Sequence, residues 1–209
     1  MALTIRLCMT LSAVVCFVHA QQVIPLSEEE KQSLVNAHND YRKAETATNM
    51  QRVKWNPNLQ AFAEKVASRC AGHSTPTERR SIPGFGYVGE SLYMDSTKPP
   101  VQNAVADWMT ERSNYDFGTW ACQPGKVCGH YTQVVWASSA EIGCGVADCT
   151  GVNGWYYVAC EYSPGGNMRV FKDGALVMPP PFTAGPKGSQ CSSAYPGQSA
   201  DPDGLCVAA

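Results

Sequence analysis

The sequence has no surplus of basic residues. Its 209 residues contain 16 Lys and Arg against 18 Asp and Glu, which gives a formal net charge of −2. A chain with this balance presents no electrostatic footprint for a phosphate backbone, so nucleic acid is not an expected partner. The sequence also lacks an Asn-x-Ser/Thr sequon, and no N-glycan is expected.

Two hydrolase signatures are missing as well. The sequence contains neither the Gly-x-Ser-x-Gly elbow of α/β-hydrolases nor the His-Glu-x-x-His motif of zinc peptidases. Beyond residue 20, no segment is apolar enough to cross a bilayer, which takes about 20 residues. The apolar content of 44% suffices for the core of one globular domain.

The first 20 residues have the pattern of a secretory signal. Arg6 precedes an uncharged apolar stretch, and the segment ends in Val18-His19-Ala20, a small-residue cleavage pattern. The alternative is a membrane anchor, but the apolar stretch of about a dozen residues is too short for one. We therefore predict cleavage after Ala20 and secretion into the extracellular space.

Cleavage would remove two of the ten cysteines, Cys8 and Cys16, and leave eight. In an exported chain an even number of cysteines indicates disulfides, here four, whereas a cytosolic chain would suggest zinc. Two pairs look local, because only a short loop separates Cys122 from Cys128 and a Pro/Gly-rich segment lies between Cys191 and Cys206.

A predicted hairpin assigns the other four cysteines. Two segments rich in strand formers, "EIGCGVADC" and "WYYVACEY", flank the turn signal "TGVNG". Cys144 and Cys160 are equidistant from Val152 at the tip, so a symmetric hairpin places them opposite each other. Cys149 then remains for Cys70.

Helical patterns precede this hairpin. Ser27 and Glu30 form a capping-box pattern, and Asn56 followed by Pro57 predicts a second helix start. In a third helix, "PPVQNAVADWMTER", the spacing turns Glu111 toward the apolar side, where an isolated charge is costly unless it is paired. From residue 163 onward the chain is rich in Pro, Gly and Ser, which predicts an irregular tail held by one disulfide.

Several motifs resemble those of one family. The stretches "GHYTQVVWASSAEIGCG" and "CEYSPGGN" are similar to the two signatures of the CAP superfamily, also called SCP/TAPS, which includes cysteine-rich secretory proteins, venom allergen 5 and class 1 pathogenesis-related proteins. "AHNDYR", "CAGHS" and "GESLYM" extend the resemblance to roughly residues 27–170.

The resemblance implies an α+β fold. The expected architecture is a disulfide-braced three-layer α-β-α sandwich with a central antiparallel sheet, spanning residues 27–170 and followed by a Pro/Gly-rich extension over 171–209. It also implies that "HYTQVVW" forms a short helix, although its β-branched residues favour a strand by propensity.

The resemblance further implies a central cavity lined by His73, Glu90, Glu111 and His130. Two neutral imidazoles with nearby carboxylates suit a divalent metal such as zinc, which folding would not require. Without the resemblance, two histidines 57 residues apart would be interpreted as structural residues.

A run of aromatic residues, Tyr115, Phe117 and Trp120, belongs either to the core or to a lipid-facing loop. Related proteins with an aromatic loop in this region bind sterol. The resemblance therefore implies a non-enzymatic, secreted binding or effector protein, monomeric or weakly dimeric, whose partner is a sterol, another lipid, or a host or prey receptor. The alternative is a metal-dependent hydrolase, such as a protease, that uses the His/Glu cavity.

Overall fold

The structure is a computed structural model that describes residues 22–208. The predicted signal peptide lies outside the described residues. The helices are α1 (Glu28–Ala44), α2 (Pro57–Ala67), α3 (Pro76–Arg80), α4 (Gln102–Thr110), α5 (Gly129–Val134), α6 (Thr150–Asn153) and α7 (Cys191–Ala194), and a 3₁₀ turn spans Glu111–Asn114. The strands are β1 (Gln22–Ile24), β2 (Lys54–Trp55), β3 (Gly89–Asp95), β4 (Tyr115–Asp116), β5 (Ala121–Cys122), β6 (Glu141–Cys149), β7 (Trp155–Ser163), β8 (Val170–Lys172), β9 (Ala175–Val177), β10 (Gln198–Ala200) and β11 (Cys206–Ala208).

The helix starts follow the capping chemistry expected from the sequence. The Ser27 side chain accepts from the Glu30 amide, while the Glu30 carboxylate accepts from the Ser27 amide, so both halves of the capping box are present. Asn56 caps α2, and Pro57 occupies its first turn. The segment that contains His130 forms the short helix α5 rather than a strand.

The central sheet has five strands. β1, β6, β7 and β3 follow one another in that order with antiparallel pairing, and β2 adds a two-residue parallel pair to β6. The sheet is therefore antiparallel except at β2. β6 and β7 form the predicted hairpin, in which Cys144 lies opposite Cys160.

Helices cover both faces of the sheet. Along β6 and β7, the side chains of Val146 and Val158 belong to the core that contains α1, α4 and α5. Their neighbours Ala147 and Ala159 pack with α2 on the other face. This period-2 alternation, buried on both sides, confirms the three-layer sandwich.

Glycine lets α2 approach β6 closely. An ideal Cβ at Gly143 would lie 2.6 Å from the carbonyl oxygen of Asn56 and closer still to the amide nitrogen of Gln60. Both atoms are backbone and cannot rotate away, so the helix and strand can be this close only because residue 143 has no side chain.

Within residues 22–208, four disulfides brace the domain, and they join the pairs that the sequence predicts: Cys70–Cys149, Cys122–Cys128, Cys144–Cys160 and Cys191–Cys206. The first ties the end of α2 to the end of β6 across 79 residues. The third crosses the central hairpin.

The predicted irregular tail was wrong in part. Residues 170–177 form the β8–β9 hairpin, and residues 198–208 form the β10–β11 hairpin. Phe182 and Leu205 are buried in the core that contains α1 and α4, and the Cys206 amide donates to the Met50 carbonyl. The composition signalled loops, but these apolar side chains fix the tail against the domain.

Over residues 22–208, no helix combines the length and the apolar character needed to cross a membrane.

Candidate functional site: a His/Glu cleft and an apolar cavity

His73 is held by a carboxylate of the edge strand. Its Nδ1 lies 2.7 Å from Glu90 Oε1, and Glu90 also accepts hydrogen bonds from the Ser74 amide and hydroxyl. Burial raises the pKa of Glu90, but the hydrogen bonds from His73 and Ser74 outweigh this effect and hold the pKa below its usual value. Glu90 is therefore an ionised acceptor that orients the imidazole.

His130 has a parallel arrangement on α5. Its Nδ1 lies 2.7 Å from Glu111 Oε1, and its backbone amide donates to Glu111 Oε2 at 2.9 Å. Glu111 stands where α4 passes into the 3₁₀ turn. The Glu111 carboxylate, which helical spacing turns toward the apolar side, therefore accepts hydrogen bonds from His130 and is not isolated.

The two histidines face each other beside β3. Their ring centroids are 6.4 Å apart with an angle of 23° between the planes, and the Trp108 ring stacks with that of His130 at a centroid distance of 6.1 Å. Trp108 is fixed by a hydrogen bond from its Nε1 to the Leu92 carbonyl. The four predicted residues therefore lie together as two His–Glu pairs, a group that we call the His/Glu or His73–His130 cleft.

Imidazole and carboxylate groups are suitable metal ligands, but these four do not converge on one point. Each carboxylate is engaged with an Nδ1, which is how outer carboxylates orient metal-binding histidines and leave Nε2 for the ion. In the part of the chain that the structure describes, no three His, Cys, Asp or Glu side chains are grouped so that they could hold a metal ion. A zinc site at His73 and His130, with Glu90 and Glu111 behind them, stays a prediction.

A third carboxylic acid, which the sequence did not predict, lies next to the cleft. Glu161 on β7 is fully buried and lies directly across from Glu90. Burial raises the pKa of Glu161 well above its usual value, and the charge of Glu90 raises it further. Glu161 is therefore the uncharged member of the pair. Its position in phase with buried Tyr157 and Ala159 was the signal that could have revealed it.

Arg42, which the sequence also did not single out, fixes the segment after α5. Arg42 of α1 is fully buried, and its guanidinium donates only to backbone carbonyls. The acceptors are Gln51, Val134, Trp136, Ala137 and Ser139, at 2.8–3.2 Å. Because α5 carries His130, this guanidinium anchors the His130 side of the cleft to α1.

His38 of α1 is fully buried. Its Nδ1 donates to the Leu34 carbonyl, and its Nε2 accepts from the Tyr162 hydroxyl. Burial lowers the pKa of His38 to about 4.

The predicted lipid-binding aromatics form a cluster around a separate cavity. Tyr115 is buried, while Phe117 packs edge-on against Tyr115 and Trp120 at centroid distances of 5.2 and 6.2 Å. Tyr115 and Trp120 line a cavity of about 300 Å³, but Phe117 does not. The remaining walls include Trp136, Met178, Pro179 and the Cys122–Cys128 disulfide.

A sequence model of the cysteine-rich secretory protein family, CAP, matches residues 35–162, more than half of the chain. The chain belongs to the CAP family. Bovine (Bos taurus) peptidase inhibitor 16 is 36% identical to this CAP protein over 178 residues, which cover 81% of the chain and 35% of that protein. The CAP chain thus spans about a third of the length of the curated relatives that it matches.

Solved structures support the same fold. The venom allergen-like protein 4 of Schistosoma mansoni is 30% identical, with a TM-score of 0.62 over 79% of this CAP chain and 100% of that one. A crystal structure of NaASP2 with Zn²⁺ has a TM-score of 0.67 over 87% of this chain and 97% of that one, at 23% identity. At 23% identity, the similarity to NaASP2 shows a shared fold and no more.

Proposed function

We propose that this protein is a secreted, non-enzymatic binding protein that holds an apolar ligand, such as one end of a sterol or an acyl chain, in the cavity beside Tyr115 and Trp120. The observation that carries the proposal is the cavity itself. Its volume of about 300 Å³ lies at the small end of ligand sites, which suits part of a lipid better than a whole one.

The chemistry of the walls favours an apolar ligand. Aromatic rings, Met178, Pro179 and a disulfide surround the cavity, and such surfaces release water at little cost. The polar groups at its edge are already paired: the Thr132 hydroxyl donates to Asn167 Oδ1, and Asn167 Nδ2 donates to the Gly129 carbonyl. Few hydrogen-bonding groups are left for a polar ligand.

Radioligand binding of cholesterol and of a fatty acid, with the secreted chain, tests the proposal. Trp120→Ser removes one wall and should weaken binding at least about tenfold, because a buried aromatic side chain contributes on the order of 2 kcal/mol. Trp155→Ser is the matched control, since Trp155 is an exposed residue of β7 outside the cavity. Equal affinity of both variants, or no binding by the wild type, would move or remove the site.

We further propose that the His73–His130 cleft binds a divalent metal, supported by the two Nδ1–carboxylate pairs. A bound zinc ion would supply Lewis acidity, while Glu90 and Glu111 would fix the imidazole orientations. The alternative function, a metal-dependent hydrolase, depends on this cleft alone.

Calorimetric zinc titration distinguishes these outcomes. His73→Ala and His130→Ala should each remove most of the affinity, and acidification should weaken wild-type binding, because only deprotonated imidazoles bind a metal. Equal zinc affinity in all three proteins would contradict the metal proposal and leave the hydrolase alternative without a centre. A metal-dependent hydrolytic activity lost in both variants would favour that alternative.

A further inference from the structure

Apolar exposure is concentrated on one small element, the segment 168–178, which we name the apolar finger. The described residues include eleven large hydrophobic side chains that are exposed, and six of them lie here: Met168, Val170, Phe171, Leu176, Val177 and Met178. Scattered exposed apolar residues are ordinary, but a contiguous group marks an interaction surface.

The finger is a two-stranded hairpin. β8 and β9 are joined by Asp173 and Gly174, whose φ angles of +50° and +82° fit the tight turn that matches strand twist. Phe171 lies directly opposite Leu176, so the two side chains project from the same face. Their exposed fractions are 75% and 63%, the two largest among the exposed hydrophobics of this segment.

From this geometry we infer that the apolar finger docks the protein on an anionic lipid bilayer, with the Phe171–Leu176 face entering the headgroup boundary. Two observations favour a bilayer over a second protein molecule. A stable protein interface takes roughly 600–1,000 Å² from each partner, and one face of a two-stranded hairpin supplies much less. A bilayer accepts a narrow element without a shaped counterpart.

The charges around the finger favour anionic headgroups. Arg169 is exposed at its base, and Lys172 belongs to β8, against the single acidic residue Asp173 at the turn. Basic residues next to an apolar face are the usual combination for binding anionic membranes.

The finger is continuous with the apolar cavity. Met178 and Pro179 follow β9 directly and form part of the cavity wall. Docking would therefore place the cavity next to the lipid surface. The docking inference does not require that the cavity binds a ligand, and the two can fail separately.

Vesicle flotation of the secreted chain tests the inference, with vesicles of phosphatidylcholine alone and of a roughly equimolar mixture with phosphatidylserine. The wild type should float with the anionic vesicles. Phe171→Ser combined with Leu176→Ser should lower the partition coefficient at least about tenfold. Arg169→Ser should weaken binding to the anionic vesicles only.

Val152→Ser combined with Trp155→Ser is the matched control, because both residues are exposed and apolar but lie at the β6–β7 turn. This control should bind like the wild type. Absent wild-type binding, equal binding of the finger and control variants, or a concentration-dependent dimer that the finger variant abolishes would each overturn the inference.

Discussion

Replacing Arg42 by Met should be among the most destabilising single changes in the domain. Arg42 is fully buried, and its guanidinium donates to five backbone carbonyls. Met has a similar length and fills the space, so the change removes the donors with little change in packing.

The size of the effect depends on which hydrogen bonds the five carbonyls retain without Arg42. The Trp136 carbonyl still accepts from the Ser139 amide, and the Ala137 carbonyl from the Gln51 amide. The other three carbonyls lose the donor that Arg42 provides. Each buried carbonyl left without a donor costs about 1–3 kcal/mol, and water that reaches some of them reduces this cost. The free energy of unfolding should therefore fall by about 3–5 kcal/mol. This is a large part of the roughly 5–15 kcal/mol that stabilises a typical domain.

Urea unfolding with the disulfides intact measures the effect. Lys43→Met is the matched control on the same helix, because the ion pair of Lys43 with Asp40 is exposed and screened by solvent, so its loss should change stability little. A loss below about 1 kcal/mol for Arg42→Met, equal to that of the control, would refute the view that this guanidinium holds the segment after α5.

Three further outcomes are expected. Because burial lowers the pKa of His38 to about 4, the unfolded chain takes up the proton first as pH falls, so the free energy of unfolding should drop by about 3 kcal/mol between pH 6.5 and pH 4. His38→Gln should lose that part of the slope in urea titrations, and an unchanged slope would contradict the assignment. Gly143→Ala should destabilise by at least about 2 kcal/mol in the same assay, while Gly86→Ala, where a Cβ meets nothing within 4 Å, should be near neutral; similar losses would refute the close packing of α2. Peptide mapping of unreduced secreted protein should recover the four disulfides and no free thiol, and a Cys144–Cys149 link would contradict the hairpin.

Local sequence signals predicted much of the fold. The capping residues Ser27 and Asn56 predicted where α1 and α2 begin, because a cap is a short-range hydrogen bond that neighbouring residues complete. The symmetry of the hairpin about Val152 placed Cys144 opposite Cys160, since register in an antiparallel pair follows from counting outward from the turn.

The features that sequence did not predict depend on distant partners. Glu161 is next to Glu90 only because β7 pairs with β3, and four of the five acceptors of Arg42 lie 92–97 residues away in sequence. The β8–β9 hairpin has a local signal, Asp173-Gly174 between strand formers. The prediction of an irregular tail used only the Pro/Gly-rich composition and not this turn. The His73–His130 approach followed from the family resemblance rather than from spacing.

The most direct test of the central claim is photo-crosslinking with a labelled, photoactivatable sterol or fatty acid, followed by peptide mapping of the secreted protein. A ligand inside the cavity should label peptides that contain its walls, chiefly those with Trp120, Trp136 and Met178. Excess unlabelled ligand should suppress the labelling. Specific labelling confined to peptides of the His73–His130 cleft, or no specific labelling at all, would contradict the account.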